Sequence, residues 1–193
     1  SGFCGKKIFS TMDATSGFNQ VKISVESRNL TAFKCMFGCY RMVRMPFGLV
    51  NAPAHFNRWL DTVFHGLEVM RYVDDLVVAS KTVDQHIAQL TSVFERCAAS
   101  GVKLKMSKYL FGVEECKVLG FIVSADGIRA DPDKVKAIKE FGAPRNKKEM
   151  QTFLGMVGFY RRFYRMLAAD TTHLRRMTTA KGKGYEWTEE AKE

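Results

Sequence analysis

The stretch from Lys7 to Asp13 reads as a strand that ends on an acid, and Val21 to Ile23, Thr31 to Met36 and Tyr40 to Val43 read as further short strands between turn residues. Asn51-Ala52-Pro53 then opens a helix. Asn51 is its expected cap, Pro53 suits the first turn, and Phe56, Leu60, Val63 and Phe64 recur at helical spacing before Gly66, with Trp59 widening the buried face. From Leu67 to Ala79 the pattern is apolar, then Asp74-Asp75, then apolar again, which predicts a hairpin turning on carboxylates. A second helix is expected from about Thr82 to Ala99, with Ile87, Leu90, Val93, Phe94 and Cys97 inside and Gly101 as its stop. Lys117 to Val123 and Ile128 to Ala130 form another hairpin around Ala125-Asp126-Gly127.

Beyond that hairpin the pattern becomes helical. Asp131-Pro132 supplies a cap and first residue, Val135 and Ile138 follow, and Pro144 breaks the run. Asn146-x-x-Glu149 resembles a capping box and opens a helix with Met150, Phe153, Leu154 and Val157 on one face. That helix runs into the basic and aromatic stretch Tyr160-Arg161-Arg162-Phe163-Tyr164-Arg165. The expected fold is α+β: an antiparallel sheet with acids on one face and helices on the other, followed by a small helical region. Lys181 to Lys183, with interleaved glycines, reads as a linker.

Charge sharpens this division. The net charge is +10, and the segment from Lys134 to Lys183 holds 13 Lys and Arg against Glu140, Glu149 and Asp170. The rest of the chain balances at 17 basic and 17 acidic residues, so the helical region carries the whole excess, which suits either a polyanion partner or a plain solvated face. No apolar run reaches the length of a membrane span, and an intracellular setting is expected. The five cysteines lack metal-ligand spacing, and Cys35 and Cys39 read as buried or free thiols. His86, near a helix start, reads as a capping or packing residue.

Folding adjacent strands together would bring Asp13, Asp74 and Asp75 into one cluster. Burial and like charge both raise carboxylate pKa values, so such a cluster is best explained by a bound cation, with Mg2+ or Mn2+ matching hard oxygen donors that leave room for phosphate. By spacing alone, three separate turn acids are the plainer reading, because Asp is common in turns.

The strings Phe9-Ser10-Thr11-Met12-Asp13-Ala14-Thr15-Ser16-Gly17-Phe18-Asn19-Gln20, Met45-Pro46-Phe47-Gly48-Leu49-Val50-Asn51-Ala52-Pro53 and Tyr72-Val73-Asp74-Asp75 resemble reverse transcriptases of gypsy-type long-terminal-repeat retrotransposons. The likeness continues through Val118-Leu119-Gly120-Phe121 and Phe153-Leu154-Gly155-x-x-x-Phe159-Tyr160-Arg161-Arg162-Phe163 and reaches Trp187-Thr188. It implies a polymerase palm with partial fingers (about 21–44) and a primer-grip hairpin (about 117–130) within 1–130. It also implies a helical thumb over 131–180 and a linker or start of a connection over 181–193.

The same resemblance implies RNA-directed DNA polymerase activity by two-metal nucleotidyl transfer onto a primer 3′-hydroxyl, on an RNA or DNA template. Asp13, Asp74 and Asp75 would be catalytic and, with the Ala14 carbonyl, would hold the metals. Phe18 would be the steric gate against a ribose 2′-hydroxyl, and Phe47 would line the same deoxynucleotide pocket. Core packing is the competing reading of both rings. Tyr72 and Val73 would face the primer end, and Leu119, Gly120 and Phe121 would grip it, although Gly120 also suits a bulge. Gln151, Gly155 and Phe159 would track the duplex minor groove, and Lys147, Lys148, Arg161, Arg162 and Arg165 would meet phosphates.

The expected partners are template-primer RNA/DNA duplex and dNTPs, with a second subunit or an upstream fingers segment supplying the triphosphate-binding strands that this family places before the present chain. No membrane partner is expected. The alternative is a truncated or domesticated noncatalytic nucleic-acid-binding module that retains the fold.

Overall fold

The computed structural model describes residue 3 and residues 5–179, so the Lys181–Lys183 linker and the Trp187-Thr188 match lie outside the described residues. The chain divides into two compact units. One is Ser1–Val118 with Ile122–Ile128, and the other is Leu119–Phe121 with Arg129–Glu193.

The first unit is built on a four-stranded antiparallel sheet. Its strands are β1 (Ile8–Asp13), β4 (Val69–Tyr72), β5 (Asp75–Ser80) and β6 (Leu110–Val113), in the order β4-β5-β1-β6. Side chains alternate between sheet faces. On one face Met12, Leu76 and Val78 bury against α1 (Ala52–Val63) and α2 (Val83–Ser100), meeting Phe56, Leu60, Val93 and Cys97. On the other, Phe9, Val77 and Ala79 cluster with Cys116, Val118 and Val123. Asp13 and Asp75 share the parity of Phe9 and Val77 and so lie on the face away from the helices, as expected.

Phe56 anchors α1. It is fully buried, and its ring meets Phe18 at 5.7 Å and Trp59 at 5.8 Å between centroids. Phe56→Ala is expected to destabilise this unit by about 3–5 kcal/mol through lost transfer energy and a residual cavity. Thermal melting checks this, and an unchanged midpoint would contradict the packing described.

Several sequence expectations are revised. Asn51 makes no side-chain cap, because its backbone (φ −93°, ψ 3°) is not in the extended region from which a side chain reaches back to the helix N–H groups. Val21 to Ile23 is not a strand: an isolated Lys22–Arg44 bridge stands there, flanked by Ile23 N to Val43 O and Met45 N to Val21 O bonds. The strand expected over Thr31 to Met36 shrinks to β2 (Phe33–Cys35), and the one expected over Tyr40 to Val43 lies earlier, as β3 (Gly38–Tyr40), the two forming a hairpin. On α2 the inward residue is His86 rather than Ile87, which is 58% exposed, and Phe94 is at the surface. Gly101 ends α2 in the left-handed conformation, as expected, and Thr82 caps its start by accepting from Gln85 N.

A three-stranded sheet follows in the order β7 (Glu115–Val118), β8 (Phe121–Ser124), β9 (Gly127–Ala130). In the second unit, α3 (Pro132–Glu140) is capped by Asp131, whose side chain accepts from Asp133 N. α4 (Lys147–Phe159) starts with a variant of the capping box: Asn146 Oδ1 accepts from Glu149 N, while Glu149 accepts from Asn146 Nδ2 and from the backbone N–H of Arg145, one residue before the cap. Two shorter helices, α5 (Leu167–Asp170) and α6 (Thr172–Thr179), complete the described chain. No helix among the described residues is long and apolar enough to cross a membrane.

Candidate active site

The register of β1 against β5 places Asp13 directly opposite Asp75, joining residues that are far apart in sequence. Both line a cavity of about 330 Å³ with Thr11, Val77, Lys108 and Leu110. Asp74 stands beside them in the two-residue turn between β4 and β5. Its carbonyl accepts from Ala14 N at 2.8 Å, but its carboxylate turns toward Gly17 on the helical side. A Cβ on Gly17 would lie 2.0 Å from Asp74 Oδ1 and 2.7 Å from the Phe56 ring, so only glycine leaves room there.

The three acids are neighbours, yet they do not stand as a ready-made cage. Among the described residues, no group of three His, Cys, Asp or Glu side chains is placed to hold a metal ion together. Like charges this close repel, and Lys108 Nζ offsets part of that repulsion by closing on Asp13 Oδ2 at 2.6 Å. Burial first, then the charges of Asp13 and Asp75, push the Asp74 carboxyl above its ordinary pKa. Asp75 is raised by burial and by Asp13, and Lys108 is raised by its hydrogen bond to Asp13 and by all three negative charges. A carboxylate raised on folding opposes folding as pH rises through its folded value, so a cation bound at these acids would stabilise the fold at neutral pH. The donor set fits such an ion. The oxygens are hard, and Asp74 Oδ1 is buried without any hydrogen-bond partner.

Surrounding contacts fix the strand end. Gln20 donates to the Thr15 and Lys103 carbonyls at 2.6 and 2.8 Å and accepts from Lys103 N at 2.8 Å, while Lys105 N donates to Asp13 O at 2.8 Å. This ties the segment bearing Lys108 to the carboxylate strand. Asn57 Oδ1 on α1 accepts from Val73 N at 3.0 Å. Val73 has φ +52°, a left-handed conformation that costs a β-branched residue on the order of 1–3 kcal/mol. Phe18 is half-buried between Phe56 and Phe47, its ring 5.4 Å from that of Phe47, which is itself 67% exposed. Tyr72 is exposed.

Beneath the sheet runs a buried polar chain that sequence reasoning missed. Gly112 N donates to Ser10 Oγ at 3.0 Å, Ser10 lies 2.7 Å from His86 Nε2, and His86 Nδ1 lies 2.9 Å from Ser80 Oγ, which donates to Gln89 Oε1. One neutral tautomer, protonated at Nδ1, satisfies every link. Burial lowers the His86 pKa from its ordinary 6.5. The folded state therefore binds fewer protons, and the stability it contributes is complete above about pH 6.5 and is lost as pH falls from there through the lowered folded value. Melting at pH 7.5 and 5.5 should show this loss in the parent chain, and His86→Gln should flatten it. The thiols of Cys97 and Cys116 are each pushed up to about 11 by burial, which leaves them inert, and Cys35 and Cys39 are unbridged.

In the second unit, Leu119 and Gly120 are both left-handed (φ +51° and +79°). A Cβ at Gly120 would press on the Phe159 ring at 3.3 Å, so the glycine permits a close approach rather than a bulge. Phe121 stacks on Phe159 at 4.7 Å with 7° between planes, and the Arg162 guanidinium lies 5.5 Å over Phe121. Gln151, Gly155 and Phe159 share one exposed face of α4, and a Cβ at Gly155 would meet nothing within 4 Å. Arg161 and Arg165 are exposed.

A carboxylate-tipped hairpin beside an acid-ended strand, on a sheet backed by two helices, defines a class that comparison with known proteins makes specific. The family of reverse transcriptases (RNA-dependent DNA polymerases) matches residues 4–123, and the chain belongs to that family. It is 39% identical over 88% of its length to the retrovirus-related Pol polyprotein from transposon opus of Drosophila melanogaster, and 36% identical over 84% to that from transposon gypsy of the same organism. These matches bear out the gypsy-type resemblance. The chain spans only 18% and 16% of those polyproteins. Among solved structures, a foamy viral protease-reverse transcriptase in complex with dsDNA superposes with TM-score 0.89 at 28% identity, over 98% of this chain and 34% of that one. The foamy viral enzyme in complex with an RNA/DNA hybrid gives TM-score 0.85 at 26% identity, over 99% of this chain and 27% of that one. The expected α+β polymerase fold is borne out.

Proposed function

We propose that this chain is the palm, partial fingers and thumb of a retroelement RNA-directed DNA polymerase, adding deoxynucleotides to a primer 3′-hydroxyl. The observation that carries this reading is the Asp13–Asp75 register pair with Asp74 in the adjoining turn. Asp13, Asp74 and Asp75, with the Ala14 carbonyl, would hold Mg2+ or Mn2+. When bound, the divalent ions lower the pKa of the attacking hydroxyl and steady charge on the departing pyrophosphate.

The chain's own groups do the positioning. Asp13 is fixed by the β1–β5 ladder, and Asp74 is fixed by the Ala14 bond to its carbonyl. Phe18, backed by fully buried Phe56, presents a ring that cannot yield, which suits a gate against a 2′-hydroxyl; Phe47 beside it would flank the incoming base. Tyr72 and Val73 would meet the primer terminus. Leu119, Gly120 and Phe121 would grip the primer, and the exposed α4 face of Gln151, Gly155 and Phe159 would follow the minor groove. Arg161 and Arg162 would reach phosphates, giving sequence-independent, salt-sensitive binding to RNA/DNA or DNA duplex, in keeping with the bound nucleic acids of the foamy viral relatives.

Primer extension on an RNA template with Mg2+ or Mn2+ tests the reading. The chain, alone or extended upstream by the fingers strands, should extend the primer and Asp13→Asn should not; duplex binding without extension by either form would overturn it.

A further inference from the structure

We infer that Asn57 is a positioning residue for the Asp74 carboxylate, acting by holding the Val73–Asp74 turn in its left-handed form from outside the hairpin. The inference deepens the polymerase reading and rests on it for its kinetic half. Pairing of Tyr72 with Asp75 closes the β4–β5 ladder, which leaves the Val73 N–H without a strand partner. That N–H points to Asn57 Oδ1 at 3.0 Å. Asn57 follows Phe56 on α1, and because Phe56 is fully buried the helix cannot drift from the turn.

The conformation held is one that valine does not choose. At φ +52° its branched Cβ crowds its own backbone, and such a residue persists only where its surroundings impose it. Release of the Asn57 bond would let Val73 relax toward negative φ and rotate the peptide that carries Asp74. The Asp74 carboxylate would then leave its place against Gly17, where a Cβ would sit 2.0 Å from Oδ1. Asn57 therefore acts on Asp74 through Val73, without touching the reacting atoms.

Glycine adopts positive φ without strain, which supplies a distinctive test. A Gly at position 73 would need no clamp, so Val73→Gly should make the chain indifferent to the loss of Asn57. Amide hydrogen exchange at residue 73 and single-nucleotide addition would be measured for the parent, Asn57→Ala, Asn57→Gln, Val73→Gly and the Asn57→Ala/Val73→Gly pair. In Asn57→Ala, exchange at Val73 should accelerate about 100-fold as the bond is lost. Addition should fall roughly 10-fold in kcat with little change in KM for the nucleotide, as expected for a misplaced catalytic group. Asn57→Gln should recover part of both. With Gly at 73, loss of Asn57 should change kcat by less than about 3-fold.

Unchanged Val73 protection in Asn57→Ala would overturn the inference. So would an equal loss of kcat whether position 73 is Val or Gly, since that would mark a general structural role. If the chain adds no nucleotide even when extended upstream by the fingers strands, the polymerase reading fails, and exchange at Val73 still decides whether the clamp exists.

Discussion

Gly17→Ala is expected to lower the rate of nucleotide addition by about 100-fold or more, the scale that follows from displacing a catalytic group by 1 Å. The added methyl would lie 2.0 Å from Asp74 Oδ1 and 2.7 and 3.0 Å from two atoms of the Phe56 ring. Phe56 is fully buried against Phe18 and Trp59 and has nowhere to go, so the short Asp74 side chain must move. Overpacking of this kind also costs stability, by about 1–3 kcal/mol. Gly158→Ala serves as the control. It lies in α4, a Cβ there meets nothing within 4 Å, and replacing a helical glycine by alanine should stabilise by roughly 0.5–1 kcal/mol. Rates of single-nucleotide addition and melting midpoints check both variants; a Gly17→Ala chain with the parent's rate would show that Asp74 does not act from this slot.

Much of this arrangement was legible in the chain because it is local. The strand ending at Asp13, the hairpin carrying Asp74 and Asp75, the Gly101 stop, the Asn146 cap and the Asp126-Gly127 turn each announce themselves within a few residues, through periodicity or turn chemistry. The motifs then predicted which acids meet, and the β1–β5 register brings Asp13 and Asp75 together as adjacent-strand folding required.

What escaped is tertiary. The inward turn of His86 in place of Ile87 follows from hydrogen bonds to Ser10 and Ser80, residues on two different strands, and no helical apolar period reports such partners. Strand β6 was missed because its partner is β1, about a hundred residues earlier. Asn57 and Lys108 read as ordinary surface polar residues until the fold sets one against Val73 N and the other against Asp13. The Asn51 cap failed for a local reason: the residue was right and its backbone was not.

Asp74→Asn carries the second large effect, and it separates function from stability. The neutral amide removes one of three mutually repelling charges, one whose carboxyl burial already disfavours as an anion. The metal-free variant should therefore melt no lower than the parent, and should melt higher as pH rises above the carboxylate range, because ionisation of Asp74 no longer opposes folding. Its chemistry should nonetheless disappear, since the amide keeps one neutral oxygen and loses the negative charge that holds a divalent ion.

The most direct measurement is single-nucleotide addition to a primer on an RNA template with Mg2+, comparing the parent chain with Asp74→Asn at equal duplex occupancy. Addition by the parent and its loss by roughly a thousandfold or more in a variant that is no less stable is the result predicted for a carboxylate acting in metal-assisted transfer. Equal rates in the two chains, or no addition by a duplex-bound parent even when extended upstream by the fingers strands, would contradict the account.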